Sequence, residues 1–189
     1  GMEAPPEERE MDLLLPPPPE LGNVVVELDR VGASVPSEPG VRWLFRNLNL
    51  SLKPGECTGV IGRNGVGKTT LLNLCAGLLS TPSTGRLQLA DGPPLEGHPG
   101  IGYMLARDSL LPWRDALDNA AFGLVVRGMP AEQARAKART LLAEVGLASH
   151  AHALPKALSH GMRQRTALAR TFALDAQLLL MDEPFGALD

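Results

Sequence analysis

The chain has 189 residues, 44% of them hydrophobic, and a formal net charge of -3. That length suits one domain with a substantial core, and the charge excludes a broadly basic surface built to coat nucleic acid. The two cysteines, Cys57 and Cys75, lie in apolar stretches, which argues for reduced core thiols of a cytosolic protein and against a disulfide framework. No run approaches the roughly 20 apolar residues that a membrane-spanning helix needs.

Residues 1–22 read GMEAPPEEREMDLLLPPPPELG, and Gly1 ahead of Met2 reads as an expression scar. The stretch is acidic and has neither the basic nor the apolar region of a secretory signal. Its prolines fix φ and remove N–H donors, so an extended or disordered tail is expected. The stretch 24-VVVELDRV-31 is rich in β-branched residues and predicts a strand. A loop with Pro36, Pro39 and Gly40 follows. In 43-WLFRNLNLSLKP-54 the alternation at Leu48, Leu50 and Leu52 predicts a half-buried strand. After the turn Lys53-Pro54-Gly55-Glu56, the short apolar run 57-CTGVIG-62 predicts a buried strand.

Beyond Lys68 the period changes. Leu71, Leu74, Cys75 and Leu78 mark one helical face, and 81-TPSTG-85 stops the helix. Strands are expected at 86-RLQLADG-92, the last part as a turn, and at 101-IGYML-105. From about Arg107 to Arg170 the chain reads as mainly helical. The clearest helix is 131-AEQARAKARTLLAEVGL-147, opened by Pro130 and ended near Gly146. Last comes the apolar strand in 178-LLLMDEP-184. Strands alternating with helices imply a mainly parallel sheet.

Two motifs carry chemistry. Residues 62-GRNGVGKT-69 satisfy G-x-x-x-x-G-K-[ST], between a predicted strand and a predicted helix. Gly62, Gly65 and Gly67 let the backbone curl so that N–H groups, including that of Asn64, face phosphate oxygens. The helix that follows aims its positive end at the same point. Lys68 reaches the β/γ-phosphates, Thr70 extends the cradle, and the Thr69 hydroxyl is a hard oxygen suited to Mg²⁺. The second motif is Asp182-Glu183 at the C-terminal end of the last apolar strand, the edge where ligands bind in open α/β sheets. Asp182 is placed to hold the metal and Glu183 to polarise an attacking water.

Residues 158-LSHGMRQRTALAR-170 decide which P-loop family is at hand. They resemble the signature of ABC-type ATPases, Leu-Ser-Gly-Gly-Gln followed by a basic helix. Ser159 and Gly161 stand in place, and His160 replaces the first glycine. Ser159 is also a good helix N-cap. Residues 184-PFGALD-189 resemble the D-loop. Residues 110-LLPW-113 and 117-LDNAAFGL-124 resemble the segment after the Q-loop in importer ATPases for nitrate, sulfonates, taurine and related solutes. The resemblance runs from about Val24 to the last residue.

The resemblance implies an α/β P-loop NTPase fold of ABC type, with a mainly parallel sheet core, N-terminal antiparallel strands and a helical subdomain. It implies an ATPase domain over 23–189, its helical subdomain at about 107–165. Two subunits would meet head to tail, each ATP lying between the P-loop of one and the Ser159/Gly161 signature of the other. Lys68 and Glu183 would be catalytic, and Thr69 and Asp182 would hold Mg²⁺. The partners implied are a second ATPase subunit, a transmembrane permease and, indirectly, a solute-binding protein. The implied place is the cytoplasmic face of the inner membrane, as a peripheral subunit.

Three departures from the pattern stand out. Ala106 occupies the place of the Q-loop glutamine, and alanine has no side-chain hydrogen-bonding group. Val35 occupies the place of the aromatic residue that stacks on adenine, with Trp43 and Phe45 nearby as core residues or substitutes. No strand and no histidine follow the D-loop, so the sequence reads as a piece of a longer protein, with a gap expected between the P-loop strand and the Asp182 strand. His98, His150, His152 and His160 all precede the D-loop. The H-x-H pair at 150–152 has no adjoining ligand set for a metal. Two further readings stay open: an ATP-binding module with little turnover, and a non-transport cassette acting on DNA or ribosomes. The absence of a second cassette, long inserts and basic charge counts against the latter.

Overall fold

The computed structural model describes residues 25–79 and 82–184. The tail at 1–22 and the D-loop residues Ala187, Leu188 and Asp189 lie outside the described residues.

The N-terminal half is built on an antiparallel sheet. Strand β1 (Val26–Ser37) is central, between β2 (Gly40–Leu52) and β3 (Thr84–Leu89). Val26 pairs with Leu52, Leu28 with Leu50 and Val35 with Arg42. Val26, Leu28, Val31 and Ala33 turn their side chains into the core. The sequence places β1 at 24–31 and a loop around Pro36, whereas the strand continues to Ser37. Pro36 is tolerated because β3 pairs with β1 no further than Gly32, so the far end of β1 has a free edge.

Helix α1 (Lys68–Cys75) packs Leu71, Leu74 and Cys75 against that sheet. Leu78, expected on the same face, falls beyond the helix end and is exposed. Gly77, at φ 72°, breaks the helical path before it.

Strands β4 (Ile101–Met104) and β5 (Leu178–Met181) form a parallel pair, with Ile101 beside Leu178 and Met104 beside Met181. Their side chains divide by parity, as a pleated strand requires. Ile101, Tyr103, Leu178 and Leu180 face the core under the antiparallel sheet. Met104 and Met181 face a second core of helices α2 (Ala116–Val126), α3 (Ala131–Glu144) and α4 (His160–Phe172). That core is rich in alanine: Ala120, Ala134, Ala138 and Ala169 are fully buried, which lets the helices approach closely.

The run 57–62 forms no strand, contrary to the sequence expectation. Ile61 is 98% exposed and Val60 45%, and Cys57, expected as a core thiol, is exposed with them, whereas Cys75 is buried. A strand needs a neighbour for its backbone groups. Among the described residues none lies alongside, and β5 bonds on one side only, to β4. Among the described residues the parallel part of the fold is this single pair.

Candidate functional site

The glycine-rich loop leads directly into α1. Gly65 and Gly67 have φ of 81° and 100°, the left-handed region that side chains avoid. Gly67 has a second constraint. A Cβ there would come within 2.9 Å of the Leu44 side chain and 3.0 Å of Phe45. The loop thus turns tightly against β2, and the N–H groups at the start of α1 remain open for an anion. Lys68 Nζ donates to the carbonyl oxygens of Gly62, at 2.5 Å, and Arg63, at 3.2 Å. The ammonium is held at the mouth of the loop by the loop itself.

The second motif meets the first. Thr69 Oγ1 donates to Asp182 Oδ2 at 2.6 Å, joining the first turn of α1 to the end of β5. Asp182 is 5% exposed, and its N–H donates to Met104 O at 2.9 Å, which continues the β4–β5 ladder. Beneath it, Tyr103 Oη donates to Asn73 Oδ1 at 2.8 Å. Burial first, then the nearby charge of Asp182, pushes the Tyr103 phenol up to about 12. Burial also pushes the Cys75 thiol up to about 11. Glu183 follows at φ 50°.

A cleft of about 430 Å³ is lined by Val35, Arg42, Leu44, Asn64, Gly65, Gly67, Lys68, Thr69, Thr70 and Glu183. It brings together the cradle residues and the candidate base. Ser159 and Gly161 do not line it. Ser159 caps α4, its Oγ accepting from Met162 N at 3.2 Å, and Gly161 sits in the first turn. Thr69 and Asp182 offer a hydroxyl and a carboxylate side by side, an oxygen-only pair that suits Mg²⁺ bound partly through water and phosphate. Among the described residues no group of three or more His, Cys, Asp and Glu side chains could hold a metal, the H-x-H pair included.

A larger cavity, about 580 Å³, lies on the antiparallel sheet, where Arg46 stacks on Trp43 at 4.1 Å from the ring centre. Trp43 therefore faces away from the phosphate cleft. Phe45 packs on the core. Val35 reaches the cleft as the sequence suggests.

Residues 45–186 match the profile of the family described as ABC transporter. The chain belongs to that family. Among curated ABC relatives, the taurine import ATP-binding protein TauB of Pseudomonas entomophila (strain L48) is 48% identical over 169 residues, covering 87% of this chain and 62% of the relative. TauB of Pseudomonas aeruginosa (strain UCBPP-PA14) is 48% identical over 149 residues, 78% of this chain and 56% of the relative. The chain thus spans less than two thirds of these relatives' length. The ATP-binding cassette MJ0796, solved as a dimer bound to ADP and Pi, superposes with a TM-score of 0.78 at 29% identity, over 87% of this chain and 76% of that one.

Several side chains in this ABC chain, one of them on the cleft wall, escaped the sequence reading. Arg42 enters it because its register opposite Val35 puts both at the same end of the sheet. Met162 stands where the signature pattern has glutamine, a departure visible in the sequence itself. Asn119, fully buried, donates to the carbonyls of Leu111, Arg114 and Asp115 and accepts from Leu111 N at 2.7 Å, fixing the 110–115 segment. Asp108 accepts from Arg163 Nε at 2.8 Å, and Arg170 donates to the carbonyls of Asp108 and Ser109. This strap ties the segment after β4 to α4. Burial lowers the Arg170 pKa.

Proposed function

We propose that the chain is the ATP-binding and ATP-hydrolysing part of an ABC importer subunit. The observation that carries this reading is the Thr69–Asp182 hydrogen bond, which puts the cradle and the acid-bearing strand end at one point. The P-loop N–H groups and Lys68 would take the phosphates. Thr69 and Asp182 would hold Mg²⁺, which supplies charge neutralisation on the phosphate oxygens. Glu183, on the wall of the same cleft, would accept the proton of an attacking water. Positioning and electrostatics supply most of the acceleration in phosphoryl transfer, so rigid placement of these groups matters more than their number.

The dimeric cassette among the similar structures supports a head-to-tail pair in which Ser159 and Gly161 of one subunit close over the cleft of the other. The relatives' names support a small sulfonate of taurine type as the solute. A separate permease would carry it, fed by a solute-binding protein, with this subunit on the cytoplasmic face of the membrane. The ATPase domain would extend over 23–189, with α2 to α4 inside its helical subdomain. A second reading, a module that binds ATP with little turnover, is favoured by Ala106, which lies just past the end of β4 and has no polar side chain.

Thermal unfolding with and without MgATP, beside Lys68→Ala, tests the first step. Binding to the native state raises stability by mass action, about 2.7 kcal/mol at a hundredfold excess over Kd. The parent should gain Tm with MgATP and the variant should not. An equal gain in both would sink the assignment of the cradle.

A further inference from the structure

Gln164 lies in the middle of α4, 7% exposed, in the helix that Ser159 opens. Its Nε2 donates to Glu183 O at 3.0 Å and to Pro184 O at 2.8 Å. Both amide hydrogens are thus engaged, and with two carbonyl partners the orientation of the amide is fixed. The turn it grips is one that would not hold by itself. Glu183 has a left-handed backbone at φ 50°, unfavourable for a residue with a Cβ. Pro184 brings no N–H to a turn hydrogen bond. Glu183 is also one of the residues that line the cleft. The carbonyl that Gln164 holds therefore belongs to a residue of the cleft wall.

We propose that Gln164 is a positioning residue for Glu183. It holds the left-handed backbone that aims the carboxylate into the cleft, and it links that aim to the place of α4. This rests on the reading of Glu183 as general base. Any shift of α4 against β5 would act on the Glu183 and Pro184 carbonyls, through one hydrogen bond to each. The helix that bears the signature and the turn that bears the base then move as one unit. No other side chain among the described residues is hydrogen-bonded to either carbonyl. Placement errors of about 1 Å at a reacting group can cost about 100-fold in rate, so the effect belongs in turnover rather than in binding.

The test replaces Gln164 with methionine, which keeps the length and removes both donors. Thr171→Val is the control: Thr171 is buried on the same helix, donates to Ala167 O at 2.9 Å and touches neither carbonyl. Gln164→Met should lower kcat for ATP by about 10-fold or more with KM within about threefold. The ¹³C signals of the Glu183 and Pro184 carbonyls should shift. Thr171→Val should lose Tm yet keep kcat. Equal kcat loss in both variants, or an unchanged kcat in Gln164→Met, would overturn the inference while leaving the ATPase reading intact. A parent chain with no turnover would overturn both. In the unaltered chain the two Gln164 Nε2 protons should exchange slowly with solvent. Fast exchange of both would overturn the geometry even if Gln164→Met failed to fold.

Discussion

Glu183 can serve as the proposed base only if its side chain stays aimed, and its left-handed backbone leaves little slack for substitution. Glu183→Gln keeps the shape and removes the proton acceptor. Turnover should drop by about 10²- to 10⁴-fold, while the MgATP-dependent rise in Tm persists. Loss of the rise as well would mean that the side chain serves binding instead. Two acids of the core under the antiparallel sheet, buried Cys75 and half-buried Tyr103, make a different prediction. Cys75 ordinarily titrates at 9.0 and is raised to about 11; Tyr103 ordinarily titrates at 10.0 and is raised to about 12. In both, the folded state keeps its proton longer than the unfolded one. Their contribution to stability is therefore complete below pH 9 and is lost as pH rises from 9 towards 12. Melting curves should show Tm falling through this window, with a smaller fall above pH 10 in Tyr103→Phe. The cradle and both carboxylates were legible in the sequence because their roles depend on short fixed spacings. Arg42 and Gln164 were not, since each reaches its partner only through strand register or helix packing.

Helix α4 illustrates how one element can be specified locally and used at a distance. Ser159 caps it with an acceptor for Met162 N, and three of its side chains, Arg163, Gln164 and Arg170, tie it to residues after β4 and β5. Ser159→Ala should cost about 1 kcal/mol, read from denaturant unfolding, because it leaves a first-turn N–H without its acceptor. Ser159→Asp, which caps equally well, should restore that loss; if it does not, the residue is not acting as a cap. The extent of α3 was legible from Pro130 and the Gly146 stop, and the start of α4 from Ser159, whereas α2 was read only as part of a mainly helical stretch. The longer β1 and β2 were not, because pairing across the 38–39 turn carries both strands past the prolines and glycine that suggest a loop.

Across the whole molecule the chain forms two cores with a two-stranded parallel sheet between them, and parity along four-residue strands decides which core each side chain joins. The pattern of 57–62 is that of a buried strand, but pairing is a property of two segments and cannot be read from one. Ile61 and Val60 consequently sit at the surface with Val66. Ile61→Lys should change unfolding free energy by no more than about 0.5 kcal/mol, as for other exposed positions, and should reduce light scattering at high protein concentration. A large loss of stability would show that Ile61 is buried in solution.

Thr69 and Asp182 also say something about the order in which the molecule comes together. They are 113 positions apart, so their hydrogen bond closes a loop containing most of the described chain. Closure of that length costs about 4 kcal/mol of chain entropy, beyond what one hydrogen bond returns. The contact can persist only after the sheet and helices between its ends are in place. A ligand that grips both residues therefore meets a site that arises late, and its binding doubles as a checkpoint: it selects chains whose two halves have finished folding against each other.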